Sequence, residues 1–112
     1  MVETPRTTLT DGRQVYPEHR DTLKDGPRAG QQKDYIVLAE EERAKGFVRP
    51  VRRSYVHKAC GGMTTMSQTL AETYARQPDF YSGTFCATCR AHFPVGEDGQ
   101  FVWAGTNEKV GT

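Results

Sequence analysis

Two short stretches, His57-Lys-Ala-Cys60 and Cys86-Ala-Thr-Cys89, constrain this chain more than anything else in it. Together they hold all three cysteines of the 112-residue sequence, and 25 residues separate them. Two ligands spaced by two residues can grip one ion from a single tight turn. Two such turns complete a tetrahedron, the geometry that zinc takes in closed sites. Gly61 and Gly62 follow the first turn, where the chain needs positive φ or close approach to sulfur. Thiolate and imidazole donors favour zinc over hard cations, and iron–sulfur clusters usually need four cysteines. The expectation is one structural Zn2+ held by His57, Cys60, Cys86 and Cys89. His92 lies three positions after Cys89 and is the alternative fourth ligand. His57 is preferred because it makes two matching knuckles. His19, in a polar stretch, reads as a solvated side chain.

Other uses of the cysteines fit less well. Three thiols cannot all pair within one chain, which argues against a disulfide framework. A redox C-x2-C needs a βαβ context, and none precedes Cys86. Catalytic zinc would keep three protein ligands, Cys60, Cys86 and Cys89, and an open position. Zinc deaminases place a glutamate two residues after the histidine and a proline before C-x-x-C. Here Ala59 and Phe85 stand at those positions. Glu72 lies on the helix between the knuckles, and it reads as an exposed helix residue. No nucleophile elbow, phosphate-binding glycine loop or HExxH is present. A zinc hydrolase or deaminase is therefore the remote alternative; the chain is expected not to be an enzyme, and no small-molecule substrate is expected.

Composition sets the background for the metal. Hydrophobic residues are 36%, with 11 glycines and 6 prolines, so the apolar core should be small. A structural zinc contributes roughly 10–16 kcal/mol in small zinc peptides, comparable with a whole domain's stability of ~5–15 kcal/mol. No segment approaches the ~20 apolar residues of a membrane span, and no apolar signal region follows Met1. The expectation is a cytoplasmic protein without membrane contact.

The chain divides unevenly. Residues 1–42 carry six Lys/Arg against nine Asp/Glu, and residues 43–112 carry nine against five. Of eleven aromatics only Tyr16 precedes residue 35. Residues 1–34 therefore read as a polar, largely irregular N-terminal arm, and residues 35–112 as the zinc-binding domain. Within it, Tyr35–Leu38 is β-prone. Glu40–Lys45 suits a short helix ended by Gly46. Phe47–Tyr55 reads as a strand or extended segment made an edge by Pro50. Thr65–Gln77 is the main helix, with Thr65 and Gln68 as a capping box and Met63, Met66, Leu70 and Tyr74 on one face. Tyr81–Phe85, Ala91–Val95 and Gln100–Trp103 read as strands, with Gly96–Gln100 as a hairpin loop. The later aromatics, Tyr74 to Trp103, are expected to pack around the knuckles, with Phe80-Tyr81 a candidate protein contact. The fold class is small α+β: zinc-ribbon-like hairpins with one inserted helix and an extended arm.

Residues 43–58 contain Arg43, Lys45, Arg49, Arg52, Arg53 and Lys58 without one acid, and Phe47 and Tyr55 lie among them. Such a segment can contact phosphates and stack on bases. Its competing reading is a solvated edge, or arginines that pair with the acidic arm. Arg49, Arg52, Arg53 and Lys58 are the candidate nucleic-acid-binding residues.

From "GFVRPVRRSYVH" through "CGGMTT", "AETYAR", "FYSGTFCATCRAHFPVGEDGQFVW" and "KVGT", the chain resembles small uncharacterised tailed-phage and prophage proteins. The resemblance covers about residues 30–112 and implies a phage-related context without an activity. The knuckle pair is also similar to a zinc ribbon, a fold that hosts many functions. The resulting expectation is a structural-zinc binding module of phage type, contacting nucleic acid through its basic segment. The alternative is a protein-interaction role, as a virion component or an inhibitor of a host protein. The host cytoplasm is the expected location, with the virion as the alternative.

Overall fold

The N-terminal stretch does not stand apart from the rest of the chain. In the computed structural model, which describes residues 6–24, 26 and 29–112, Thr7–Leu9 forms strand β1. It pairs antiparallel with β2, Ile36–Leu38, so that Leu9 faces Ile36 and Thr7 faces Leu38. Leu9 and Val37 are fully buried, and Leu38 nearly so. The described residues between 10 and 35 are largely irregular, apart from a 3-10 turn at Pro17–Arg20 and an isolated bridge between Thr22 and Gln32. Strand β1, from the N-terminal stretch, thus pairs with a strand that lies beyond residue 34. Of the three residues of β1 only Leu9 is buried, and a fully buried leucine contributes roughly 1.5–3 kcal/mol toward tying the strand down.

A second set of contacts fixes this pair to the main helix. Helix α1 spans Glu40–Arg43, acids first and the base last, and Gly46 follows it at φ 112°. Helix α2 spans Gln68–Arg76. Arg43 pairs with Glu72 of α2, and its Nε donates to the Leu38 carbonyl at 3.0 Å. Thr73 of α2 accepts from the Leu38 amide at 3.2 Å, and the Tyr81 hydroxyl donates to the Ile36 carbonyl at 2.6 Å.

The central sheet has the order β4-β3-β7, all antiparallel, with β3 at Ser54–His57, β4 at Met63–Thr65 and β7 at Phe101–Trp103. Strands β5, Gly83–Cys86, and β6, Ala91–Pro94, form a separate antiparallel hairpin. Alternation along β3 and β7 sends Tyr55, His57, Phe101 and Trp103 inward. Between sheet and helix these residues meet Met66, Ala71, Tyr74, Cys86 and Val110 in a small core. The aromatic edges interlock: Tyr55 stands edge-on to Phe101 at 5.3 Å and to Trp103 at 6.4 Å.

Three readings of the sequence are corrected. Helix α2 starts later than Thr65, because Thr65 belongs to β4, where it pairs with Ser54 across the strands. Ser67 caps the helix instead, accepting from the Leu70 amide at 3.3 Å. Met63 therefore leaves the helical face and is 61% exposed. Residues 47–53 form no strand; the strand begins at Ser54. Gly96–Gln100 does turn the chain, but the strands it joins sit in different sheets, since β7 pairs with β3 and not with β6. No helix among the described residues is long and apolar enough to cross a membrane.

Candidate metal centre

Each pair of candidate ligands sits in the turn of a hairpin. In the β3–β4 turn, His57 closes β3, Cys60 follows, and the Gly61 amide donates to the His57 carbonyl at 2.7 Å. In the β5–β6 turn, Cys86 closes β5, Cys89 follows, and the Arg90 amide donates to the Cys86 carbonyl at 2.7 Å. The residue after each second ligand is left-handed, Gly61 at φ 72° and Arg90 at φ 56°. The two turns share one backbone path although one begins with histidine and the other with cysteine.

The four side chains converge. One donor atom from each of His57, Cys60, Cys86 and Cys89 lies within 4.8 Å of all the others. Cys60 Sγ and Cys86 Sγ are 3.6 Å apart, and Cys89 Sγ is 3.6 Å from His57 Nδ1. Zn–S bonds of about 2.3 Å and Zn–N bonds of about 2.0–2.1 Å at tetrahedral angles imply edges of about 3.8 Å for S···S and about 3.5 Å for S···N. The observed edges fit. A disulfide would need about 2.05 Å, and all three cysteines are free.

The surrounding residues fix the ligands' orientation. His57 is buried between Phe93, stacked at 4.4 Å, and Phe101 at 4.8 Å. Its Nε2 lies 2.7 Å from Gln100 Oε1. An amide oxygen only accepts, so Nε2 carries the proton and Nδ1 presents its lone pair to the sulfurs. The Gly62 amide donates to Cys60 Sγ at 3.3 Å and the Cys89 amide to Cys86 Sγ at 3.4 Å. Two contacts strap the turns together. The Ala87 amide donates to Thr64 Oγ1 at 3.0 Å. A Cβ on Gly62 would lie 2.0 Å from Thr88 Oγ1 and 2.7 Å from Thr88 Cβ, so a side chain at Gly62 would force one turn to shift against the other.

The thiols do not share protons evenly. The Gly62 amide, then His57 and the neighbouring thiols, lower Cys60 to about 7. Partial desolvation, then the sulfurs of Cys60 and Cys86, push Cys89 up to about 11. The Cys89 thiol thus holds its proton where Cys60 gives its own up; a bound divalent cation would release it and turn the cluster into a ligand set. Three thiolates around one dication carry a net charge of about −1, and Lys58 and Arg90 stand exposed in the two turns beside it.

The other candidates fall elsewhere. His92 Nε2 is 2.8 Å from the Tyr35 hydroxyl, its ring is tilted against Phe85, and it is not among the converging donors. His19 is not solvated: it is 8% exposed, with Nδ1 2.8 Å from the Tyr16 carbonyl. Glu72 is engaged by Arg43 and Gln68. Arg49 Nε donates to the Thr112 carbonyl at 3.3 Å, and Arg53 Nε donates to the Met66 carbonyl at 3.0 Å. Arg52 pairs with Glu108 at 2.9 Å and lies 4.8 Å over the Trp103 ring. The arginines thus meet Glu108, Glu72 and backbone carbonyls rather than acids of the arm. Gln100 and Thr88, which orient and seat the ligands, carry no signal in sequence spacing; Gln100 lies 43 positions from His57.

No family model, curated protein or solved structure matches this chain.

Proposed function

We propose that the chain is a non-enzymatic, zinc-ribbon-like binding module in which His57, Cys60, Cys86 and Cys89 hold one structural Zn2+. One observation carries this reading: four protein donors converge within 4.8 Å, with edge lengths that suit one tetrahedral ion. Four protein ligands leave no position for substrate or an activated water. The pairing of Glu72 with Arg43 also supports it, since that acid is taken up on the helix. Cobalt substitution tests it. A closed site gives an intense tetrahedral spectrum that azide and cyanide leave unchanged; a spectrum that shifts with added anion refutes the reading.

A protein is the partner this reading favours. Phe47 and Val48, adjacent in the irregular segment before β3, are 47% and 58% exposed. The arginines that follow them are bonded within the chain. A phage or host protein fits the context that the sequence resemblance implies. Nucleic acid is the second reading, resting on Lys58 and on the outward part of Arg53. A salt series with labelled single- and double-stranded oligonucleotides separates the two. Binding that weakens steeply with salt and is reduced by Lys58→Ala supports nucleic acid; no binding at low salt removes it.

A further inference from the structure

A cavity of about 350 Å³ opens where the N-terminal segment meets the β5–β6 hairpin. Sites for small molecules run roughly 300–1,000 Å³. Tyr35, Phe80 and Tyr81 give it aromatic walls, and His19, Arg20 and His92 give it nitrogen atoms. Among the described residues no carboxylate lines it. The Phe80 ring stands edge-on to Tyr81 at 4.8 Å, and the Tyr35 ring is tilted against His92 at 5.8 Å. These residues come from four separate stretches, so no sequence motif announces them.

Two of the nitrogen groups have unused bonding capacity. The Tyr16 carbonyl near His19 Nδ1 can only accept, so that nitrogen carries the proton. His19 Nε2 is left as an acceptor without a protein partner among the described residues, on a side chain that is 8% exposed. Among the described residues it is not one of the fully buried unpartnered atoms, so a donor that enters the cavity can reach it. Arg20 is exposed and makes no ion pair among the described residues. A free guanidinium offers a planar fork that matches carboxylate or phosphate.

We infer that this cavity binds a small planar aromatic anion. Phe80, Tyr81 and Tyr35 receive the ring, Arg20 holds the anionic group, and His19 Nε2 accepts from a donor on the ligand. Aryl carboxylates and nucleoside monophosphates share this chemistry. The inference is independent of the zinc reading, except that the site needs the folded chain.

The test is an amide NMR titration of the full, zinc-loaded protein. The probes are 4-hydroxybenzoate and, separately, uridine 5′-monophosphate; the controls are 4-hydroxybenzyl alcohol and inorganic phosphate. One or both aromatic anions should shift the amides of Gln32, Ser82 and Gly83 saturably, with Kd at or below ~1 mM, and the better one identifies the anionic group. The controls should bind at least about tenfold more weakly, Arg20→Ala should weaken binding by about tenfold, and Lys45→Ala should leave it unchanged. The inference is overturned if neither anion gives saturable shifts, if the neutral alcohol binds as tightly, or if the shifts fall away from the cavity.

Discussion

Replacing Gly62 by alanine should destabilise the protein through one contact. The added Cβ would lie 2.0 Å from Thr88 Oγ1, 2.7 Å from Thr88 Cβ and 3.3 Å from Cys60 Sγ. Rotating the threonine hydroxyl removes the first clash and leaves the second, so one knuckle must move against the other. Overpacking of this sort costs roughly 1–3 kcal/mol. Gly62 is not among the residues with positive φ, so alanine there also gains roughly 0.4–1 kcal/mol by restricting the unfolded chain. The net loss should be about 1–2 kcal/mol, or a Tm lower by roughly 4–10 °C. Thermal melts of the zinc-loaded protein measure it. Thr88→Gly in the same chain should recover most of the loss, giving a coupling of about 1–2 kcal/mol in a double-mutant cycle. Gly61→Ala supplies a contrast. Its Cβ meets nothing within 4 Å, but φ is +72°. It should lose about 1 kcal/mol, and Gly61→Asn should lose less, because asparagine tolerates the left-handed region. A Gly62→Ala protein as stable as the parent, or a loss that Thr88→Gly does not relieve, refutes the close-approach argument.

Other consequences follow from the same geometry. Gln100→Leu removes the acceptor for His57 Nε2 and should weaken zinc binding by about 10- to 100-fold in a chelator competition. His57→Ala should lower zinc affinity sharply while His92→Ala leaves the stoichiometry unchanged, as read by native mass spectrometry; the opposite pattern would make His92 the ligand. Leu9→Ala, at a fully buried position, should cost about 2–5 kcal/mol in denaturant melts; a loss near zero would mean that β1 is not part of the folded unit.

The candidate site was legible because its information is local. His57 and Cys60, like Cys86 and Cys89, sit within one turn of each other, and a turn is what short spacing encodes. Gly61 and Gly62 were also legible as a pair, although their reasons differ: backbone conformation at one and proximity to Thr88 at the other. What was not legible depended on distant partners. Thr65 looked like a helix cap until β4 claimed it through its pairing with Ser54. Gly96–Gln100 had the composition of a hairpin loop, but pairing is decided by which strand accepts β7, and β3 does. The arginines of 49–53 read as a free basic face because Glu108, Trp103, Met66 and Thr112 lie far along the chain. Leu9 carried too little pattern to predict a strand, since three residues cannot display a period.

The central claim is that one metal ion clamps the two hairpin turns and thereby holds a chain whose core centres on eight buried residues. It is tested most directly by metal analysis of protein purified without added metal, paired with a melt before and after chelation. The account predicts about one zinc per chain, as tetrahedral four-ligand sites hold, and loss of the cooperative transition once the ion is stripped. Protein that carries no metal and melts with the same cooperative transition in excess chelator would contradict it.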